Sequence, residues 1–236
     1  MGEHAQKRIV RKLDLERFLS NIIPQPNPQA YLEQYTTPAN VAATMLYLAA
    51  YTNNDIVGKR VLDLGCGTGR LGLGAAYLGA NDVLGVDINR LAIRTAVQNT
   101  LNAGLSGKAQ WVLGDIAAVV GRFDTVVQNP PFGVQTREAD RAFLVKALLL
   151  GNAVYSFHNH PQTDKQLIAK LRTSGEFLQV SPAPFLERFV ATNGGAVQAV
   201  YAMAMSIPKM FDFHTKARYD FVVDLYIIKR VGAEYF

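Results

Sequence analysis

Residues Arg60 to Asp87 constrain this chain more than any other stretch. Arg60-Val61-Leu62-Asp63-Leu64 is a short apolar run stopped by a glycine, the length and composition of a buried strand. Gly65-Cys66-Gly67-Thr68-Gly69 follows. Arg70 through Leu78 then reads as a helix closed by Gly79. Asp82-Val83-Leu84-Gly85-Val86 is a second strand, and it ends in Asp87. A strand, glycine loop, helix and strand in this order make a crossover between parallel strands. The same alternation continues down the chain. It predicts an α/β fold of the Rossmann-like kind, a mostly parallel sheet with helices on both faces.

Glycines in the loop permit positive φ and close approach of backbone to a ligand. Gly72 and Gly74 inside the helix cost about 1 kcal/mol each relative to alanine, which predicts a packing or ligand reason for them. A carboxylate at the end of the second strand, Asp87, can accept both hydroxyls of a ribose. Taken alone, the stretch fits two cofactors. Gly67 to Gly72 matches G-x-G-x-x-G with Asp87 twenty residues past Gly67, the pattern of a nicotinamide dinucleotide site. Two residues favour S-adenosylmethionine instead. Asp63, separated from the first glycine by Leu64, is placed to meet an ammonium group, which a dinucleotide lacks. Asp115 ends a third strand-like run, Trp111-Val112-Leu113-Gly114, and suits an adenine amino group.

Further on, Phe123-Asp124-Thr125-Val126-Val127-Gln128 reads as a buried strand ending abruptly in Asn129-Pro130-Pro131-Phe132. Each residue type here suits methyl transfer to a planar amine. Such an amine is a poor nucleophile because its lone pair is delocalised into the ring. An amide oxygen and a backbone carbonyl accepting its two N–H bonds favour the pyramidal, nucleophilic form. Two prolines fix φ and restrict the residue before each, so the carbonyls point without further ordering. An aromatic ring gives a flipped base a face to stack on. These four are the expected catalytic residues. The bland alternative is a strand-ending loop with a chance Pro-Pro, which the preceding cofactor half-site disfavours.

The chain of 236 residues, 49% hydrophobic and 18% charged, is expected to form one globular methyltransferase domain over 1–236. No apolar run approaches the roughly 18 residues a membrane span needs. Met1 to Arg17 is polar and charged, with no secretory signal pattern. The single cysteine, Cys66, excludes an internal disulfide and fits a reducing, cytoplasmic setting; it reads as a small filler of the glycine loop rather than a reactive thiol. A net charge of +5 permits a nucleic-acid substrate without requiring one. Lys7, Arg8, Arg11, Lys12 and Arg17 crowd a basic helical extension, about 1–29, broken by the prolines of 24–28. Lys209, Lys216 and Arg218 stand near the other end. Both groups read as phosphate contacts or as solvated faces.

The remaining elements are predicted as follows. A helix starts with Thr37 as N-cap and Pro38 at its first position and runs to about Tyr51. Another spans Asn89 to Asn102 with Asn89 capping. Strands follow at Gln110–Leu113, Phe123–Gln128 and Ala153–Phe157, with helices at Ala139–Leu149 and Pro161–Arg172. Phe177–Val180 is uncertain ground. Ala196–Ile207 and Asp220–Ile228 read as an antiparallel pair, giving a seven-stranded sheet. The segment 182–195 looks like an inserted loop or short helix of no readable function. His158 and His160 lack a third ligand, so no metal is expected; His158, placed after the fifth strand, is expected to touch substrate.

With these residues in hand the chain resembles a known family. Glu33-Gln34-Tyr35-Thr36-Thr37-Pro38, Asp63 to Gly69, Asp87-Ile88, Asn129 to Gly133, Ala153-Val154-Tyr155-Ser156-Phe157-His158 and the tail from Phe213-His214 to Asp224-Leu225 are similar to the methyltransferase-like protein 5 group, over roughly residues 30 to 230. That family comprises archaeal and eukaryotic class I enzymes that make N6-methyladenosine in small-subunit ribosomal RNA. The resemblance implies that Gln34, Tyr35 and Thr37 close over S-adenosylmethionine. It also implies that Gly65, Cys66, Gly67, Thr68 and Arg70 lie along the methionine portion, with Asp63 near by. Asp87 with Ile88 would hold the ribose, and Asp115 with Ile116 the adenine. Asn129 and the Pro130 carbonyl would hold the amine, and Phe132 would stack on the base. Eukaryotic members use a small zinc-binding activator protein that pairs with the third strand, an edge in this sheet order. Gln110-Trp111-Val112-Leu113 offers such an edge, or is covered by its own loops. The stretch after Gly175 is longer here than in eukaryotic members.

Rival readings stay open at this point. Asn-Pro-Pro-aromatic loops also serve guanine N2 in RNA, amines in DNA and a glutamine side chain in protein. No added target-recognition domain argues for DNA, and Phe132 stands where the protein-glutamine enzymes usually carry tyrosine. A non-catalytic RNA-binding module is the rival from another class.

Overall fold

A computed structural model describes residues 10–25, 36–132, 139–161, 165–173, 177–208 and 218–232. Eight strands form one sheet: β1 (Arg60–Leu64), β2 (Asp82–Asp87), β3 (Ala109–Leu113), β4 (Phe123–Gln128), β5 (Gly151–Asn159), β6 (Phe177–Val180), β7 (Gly195–Pro208) and β8 (Arg218–Arg230). Their order is β3-β2-β1-β4-β5-β8-β7-β6. The first five run parallel; β8 is antiparallel between β5 and β7, and β6 is antiparallel to β7. The sheet therefore has one strand more than expected. Phe177–Val180 pairs with Met203–Val200 and adds an edge that four residues of half-buried sequence could not announce.

The chain leaves β1 toward β2 and β3, then returns to place β4 on the other side of β1. That reversal opens a crevice at the carboxyl ends of β1 and β4, where open α/β sheets bind ligands. Helices α1 (Lys12–Ser20), α2 (Ala39–Tyr47), α3 (Arg70–Tyr77) and α4 (Arg90–Asn102) precede β3, while α5 (Ala139–Leu150), α6 (Lys165–Thr173) and α7 (Pro184–Thr192) follow β4. Two large cores result. One joins Leu15, Leu19, Met45, Leu46 and Leu73 to Tyr155, Phe157 and Leu225. The other joins Leu62, Leu64 and Val126 to Leu144, Leu148, Val190 and Tyr226.

Three helix starts test the capping logic. Asn89 caps α4 as expected, its side-chain oxygen accepting from the N–H groups of Leu91 and Ala92 at 2.8 and 3.0 Å. The helix expected at Thr37 begins later: Pro38 occupies the N-cap position of α2, and Thr37 caps nothing. The same helix ends in a π-helical turn, Leu48–Thr52, so its total reach matches the sequence reading. Among the described residues α1 starts only at Lys12. Its basic side chains are partly engaged: Arg11 makes a two-pronged pair with Asp14 at 2.7 and 2.9 Å.

The segment 182–195 is no idle insertion. It holds α7, which seats Val190 in the second core, and the Ala183 N–H donates to the Tyr226 hydroxyl at 2.8 Å. β5 also outruns its predicted end. His158 therefore lies inside the strand, 3% exposed, rather than after it. Its Nε2 is 2.9 Å from Ser156 Oγ, which also accepts from Gln128 Nε2 at 2.9 Å. So deep a position does not support the expected substrate contact. His160 pairs instead with Asp224 at 2.8 Å. No group of side chains suited to a metal occurs among the described residues. None of the described helices is long and apolar enough to cross a membrane.

Candidate active site

A cavity of about 970 Å³ occupies the crevice at the ends of β1, β2, β3 and β4. Its walls include Thr37, Asp63, Gly65, Cys66, Gly67, Thr68, Arg70, Asp87, Ile88, Asp115, Ile116, Asn129 and Pro131. Residues scattered over some 95 positions of sequence thus meet as the motifs predicted. Gln34 and Tyr35 lie outside the described residues. Pro130 and Phe132 do not line the cavity; Phe132 is half-buried, edge-on to Phe221 with ring centres 6.1 Å apart.

The glycines have two different reasons. Gly67 has φ +53°, and a Cβ built there would meet nothing within 4 Å, so it opens the loop to a ligand. Gly85 serves packing: a Cβ on it would lie 2.2 Å from the Trp111 ring. Gly69 and Gly72 are crowded by the same indole, at 2.6 and 3.0 Å. Trp111 is therefore the wedge that fixes α3 over β2, and its Nε1 donates to Thr100 Oγ1 of α4 at 2.7 Å. Gly74 makes room for Leu46 in the same way. Cys66 is the small filler expected of it, buried at 7% exposure, with burial pushing its thiol well above the usual range.

The carboxylates are held by backbone donors. Asp63, 1% exposed, accepts from the Gly72 N–H at 2.7 Å. Burial pushes its pKa up to about 7; the Gly72 bond works against this and the charge of Asp87 adds to it. Asp87 accepts from the N–H groups of Gly67 and Asn89, both at 2.8 Å. Burial raises it too, opposed by those bonds. Asp115 caps a short 3-10 turn, Ile116–Ala118, accepting from the Ala117 N–H at 2.8 Å. Burial raises both carboxyls, Asp63 the more deeply set, and a cationic ligand beside them would favour their ionised form.

Arg70 also lines the cavity and ties two segments down. Its guanidinium donates to the Thr37 carbonyl at 2.6 Å and to the Ile22 carbonyl at 3.0 Å, and burial lowers its pKa to about 10. Thr37 in turn accepts on its hydroxyl from Asn129 Nδ2 at 2.9 Å. The Asn99 side chain clasps the same N-terminal segment, bonding the Ile23 N–H and carbonyl and the Thr68 carbonyl. Sequence reading missed Gln25, Thr36, Phe143 and Lys146 as wall residues. None of them had a local signal; Phe143 is tied to the glycine loop only in the fold, where a Cβ on Gly65 would lie 2.7 Å from its ring.

The donor set fits one cofactor. Acids end three adjacent strands, an open glycine turn lies between them, and an asparagine is held at the neighbouring strand end. Fold and cavity thus define a class I methyltransferase that uses S-adenosylmethionine. Comparison with known proteins agrees. The Methyltransferase small domain family matches residues 41–153. The chain is 34% identical to protein MJ0284 of Methanocaldococcus jannaschii, covering 96% of this chain and 97% of that one. It is 30% identical to the rRNA N(6)-adenosine-methyltransferase Mettl5 of Drosophila melanogaster, covering 93% and 96%. Among solved structures, PH1948 of Pyrococcus horikoshii superposes with a TM-score of 0.79 at 36% identity, covering 95% of this chain and all of that one. Magnesium protoporphyrin IX methyltransferase from Synechocystis PCC 6803, solved with its bound methyl donor, shares the fold at TM-score 0.57 and 18% identity, covering 80% and 79%. The chain belongs to the class I methyltransferases of the Methyltransferase small domain family.

Proposed function

We propose that this protein methylates N6 of an adenosine in small-subunit ribosomal RNA. The observation that carries the reading is the Asn129 amide, fixed through Nδ2 on Thr37 at the cofactor cavity. That bond fixes the plane of the amide, and Oδ1 lies in the same plane. There it accepts an N–H of a planar amine, and the Pro130 carbonyl accepts the other. Phe132, its ring set edge-on against Phe221, offers the base a face. S-adenosylmethionine supplies a methyl on a cationic sulfur: the N–C bond forms, the S–C bond breaks with its electrons to sulfur, and the amine proton leaves to water. The protein contributes position and hydrogen bonds, with no covalent enzyme intermediate. Asp63 and Arg70 would face the two charges of the methionine end, Asp87 the ribose, and Asp115 with Ile116 the adenine. Support for an RNA adenine comes from relatives that align along nearly the whole chain, including Mettl5 of Drosophila melanogaster, rather than along the cofactor half alone.

The test is to incubate the protein with labelled S-adenosylmethionine and ribosomal RNA, with Asn129→Ala as control, and identify the methylated nucleoside by mass spectrometry. N6-methyladenosine formed only by the intact chain is expected. Methylguanosine, a methylated DNA base or methylglutamine in added protein would overturn the target. Failure of the chain to bind S-adenosylmethionine would favour a non-catalytic RNA-binding module. A small zinc-binding activator protein pairing with β3 belongs to the same proposal, as does a cytoplasmic site of action.

A further inference from the structure

Gln25 contributes to the cavity wall beside Thr36, and its backbone N–H lies 3.4 Å from the Thr36 hydroxyl. Its side-chain oxygen and nitrogen are both shut off from solvent, and neither has a hydrogen-bond partner. A buried amide left unpaired at both ends is costly, and most such groups in folded proteins find a partner. The surrounding segment is held firmly: Ile22 is bonded by Arg70, and Ile23 by Asn99. Gln25 is therefore kept at this wall by its neighbours and gains nothing there from the protein alone.

We propose that Gln25 is a binding residue for the amino-acid end of S-adenosylmethionine. An amide carries a donor and an acceptor side by side. The methionine end is the one part of the cofactor that presents a carboxylate and an ammonium side by side. Arg70, whose guanidinium bonds the same segment at Ile22, lines the wall on this side, and the Arg70 Nε is likewise buried without a partner. The Gln25 amide would donate an N–H to the carboxylate and accept from the ammonium, so one ligand group would satisfy both orphaned atoms. Asp63, which lines the same cavity, would share the ammonium. This inference concerns cofactor binding alone and stands whichever amine accepts the methyl group.

The experiment is calorimetric titration of the wild-type chain and Gln25→Leu with two probes, S-adenosylhomocysteine and 5′-methylthioadenosine, which lacks the amino-acid end. Expected is a loss of about 10- to 100-fold for S-adenosylhomocysteine, the size of one or two hydrogen bonds to charged groups, with methylthioadenosine binding unchanged. Equal weakening of both probes overturns the proposal, since Gln25 would then serve the nucleoside or the shape of the cavity. No change in either overturns it as well. Thermal unfolding of the ligand-free variant gives a second reading. Replacing an unpaired buried amide with leucine should leave the melting temperature level or raised; a marked fall assigns Gln25 a structural role and overturns the proposal. Gln25→Glu keeps the size and places a charge against the carboxylate. It should weaken S-adenosylhomocysteine at least as much as leucine does while sparing methylthioadenosine.

Discussion

Asn129 Nδ2 donates to Thr37 Oγ1 at 2.9 Å, across 92 positions of sequence. The threonine hydroxyl thus anchors the Asn129 amide rather than capping a helix. Thr37→Val keeps the shape and removes the hydroxyl. It should lower kcat by about tenfold, the worth of one hydrogen bond that orients a reacting group, while leaving the Kd for S-adenosylhomocysteine nearly unchanged. Thr37→Ser should retain most of the activity. A Thr37→Val variant with wild-type kcat would show that Asn129 needs no such anchor.

Gly85 and Trp111 form a second coupled pair. A Cβ at Gly85 would sit 2.2 Å from the indole, so Gly85→Ala must displace the wedge between α3, β2 and α4. Overpacking of this kind typically costs about 1–3 kcal/mol. Trp111→Leu loses the ring and the bond to Thr100 and should cost about 3 kcal/mol. Once the indole is gone the alanine has room, so Gly85→Ala should add little in the double variant. Denaturant unfolding of the four proteins measures the coupling; simple additivity would remove Trp111 as the cause of the glycine.

Asp63 makes cofactor binding depend on pH. Its pKa rises on folding from the ordinary carboxylate range to about 7, chiefly through burial. Between those values the folded chain holds a proton that the unfolded chain has lost, so this group makes stability fall as pH rises from about 4 to 7. A cationic ligand beside Asp63 favours the ionised form and expels that proton. Affinity for S-adenosylhomocysteine should therefore strengthen by up to tenfold per pH unit toward about 7 and then level off. Titration in two buffers of different ionisation heat should show proton release at pH 6. Asp63→Asn should bind weakly and flatten the profile; an unaltered profile in that variant would assign the proton to another group, Asp87 being the next candidate.

What the residue order made legible was local. The strands and helix of the β1–α3–β2 unit, the Asn89 cap and the strand before Asn129 lie where periodicity and turn chemistry put them, because each element is decided by residues close to it in sequence. What it hid depended on distant partners. Gly72 called for a packing or ligand reason, and which one could not be read locally: the Trp111 indole, 39 positions away, crowds it together with Asp63 and Val83. Thr37 had the composition of a cap, yet its hydroxyl is taken by Asn129. β5 ends at Asn159 because β8 continues to pair with it there, Asn159 opposite Val223, and this buries His158. β6 is a strand only because β7 lies beside it. Gln25 carried no signal at all, since an isolated glutamine in a proline-rich stretch resembles any loop residue.

The outer edge of β3 supplies the last test. The Val83 N–H donates to the Lys108 carbonyl and the Gly114 N–H to the Asp87 carbonyl, at 3.1 and 3.0 Å. Residues of one parity along a parallel strand face the same neighbour, so Gln110 and Val112 turn their backbone groups toward β2, while Trp111 and Leu113 turn theirs outward. Leu113 and Val112 are also 44% and 46% exposed, an apolar edge of the kind that invites strand addition. In the isolated protein the amide hydrogens of Trp111 and Leu113 should exchange faster than those of Gln110 and Val112. Adding a small zinc-binding activator protein that extends the sheet should slow Trp111 and Leu113 selectively, and Leu113→Pro should abolish that protection by deleting an outward donor. Protection that is absent, spread evenly along β3 or confined to α4 would count against strand addition at this edge.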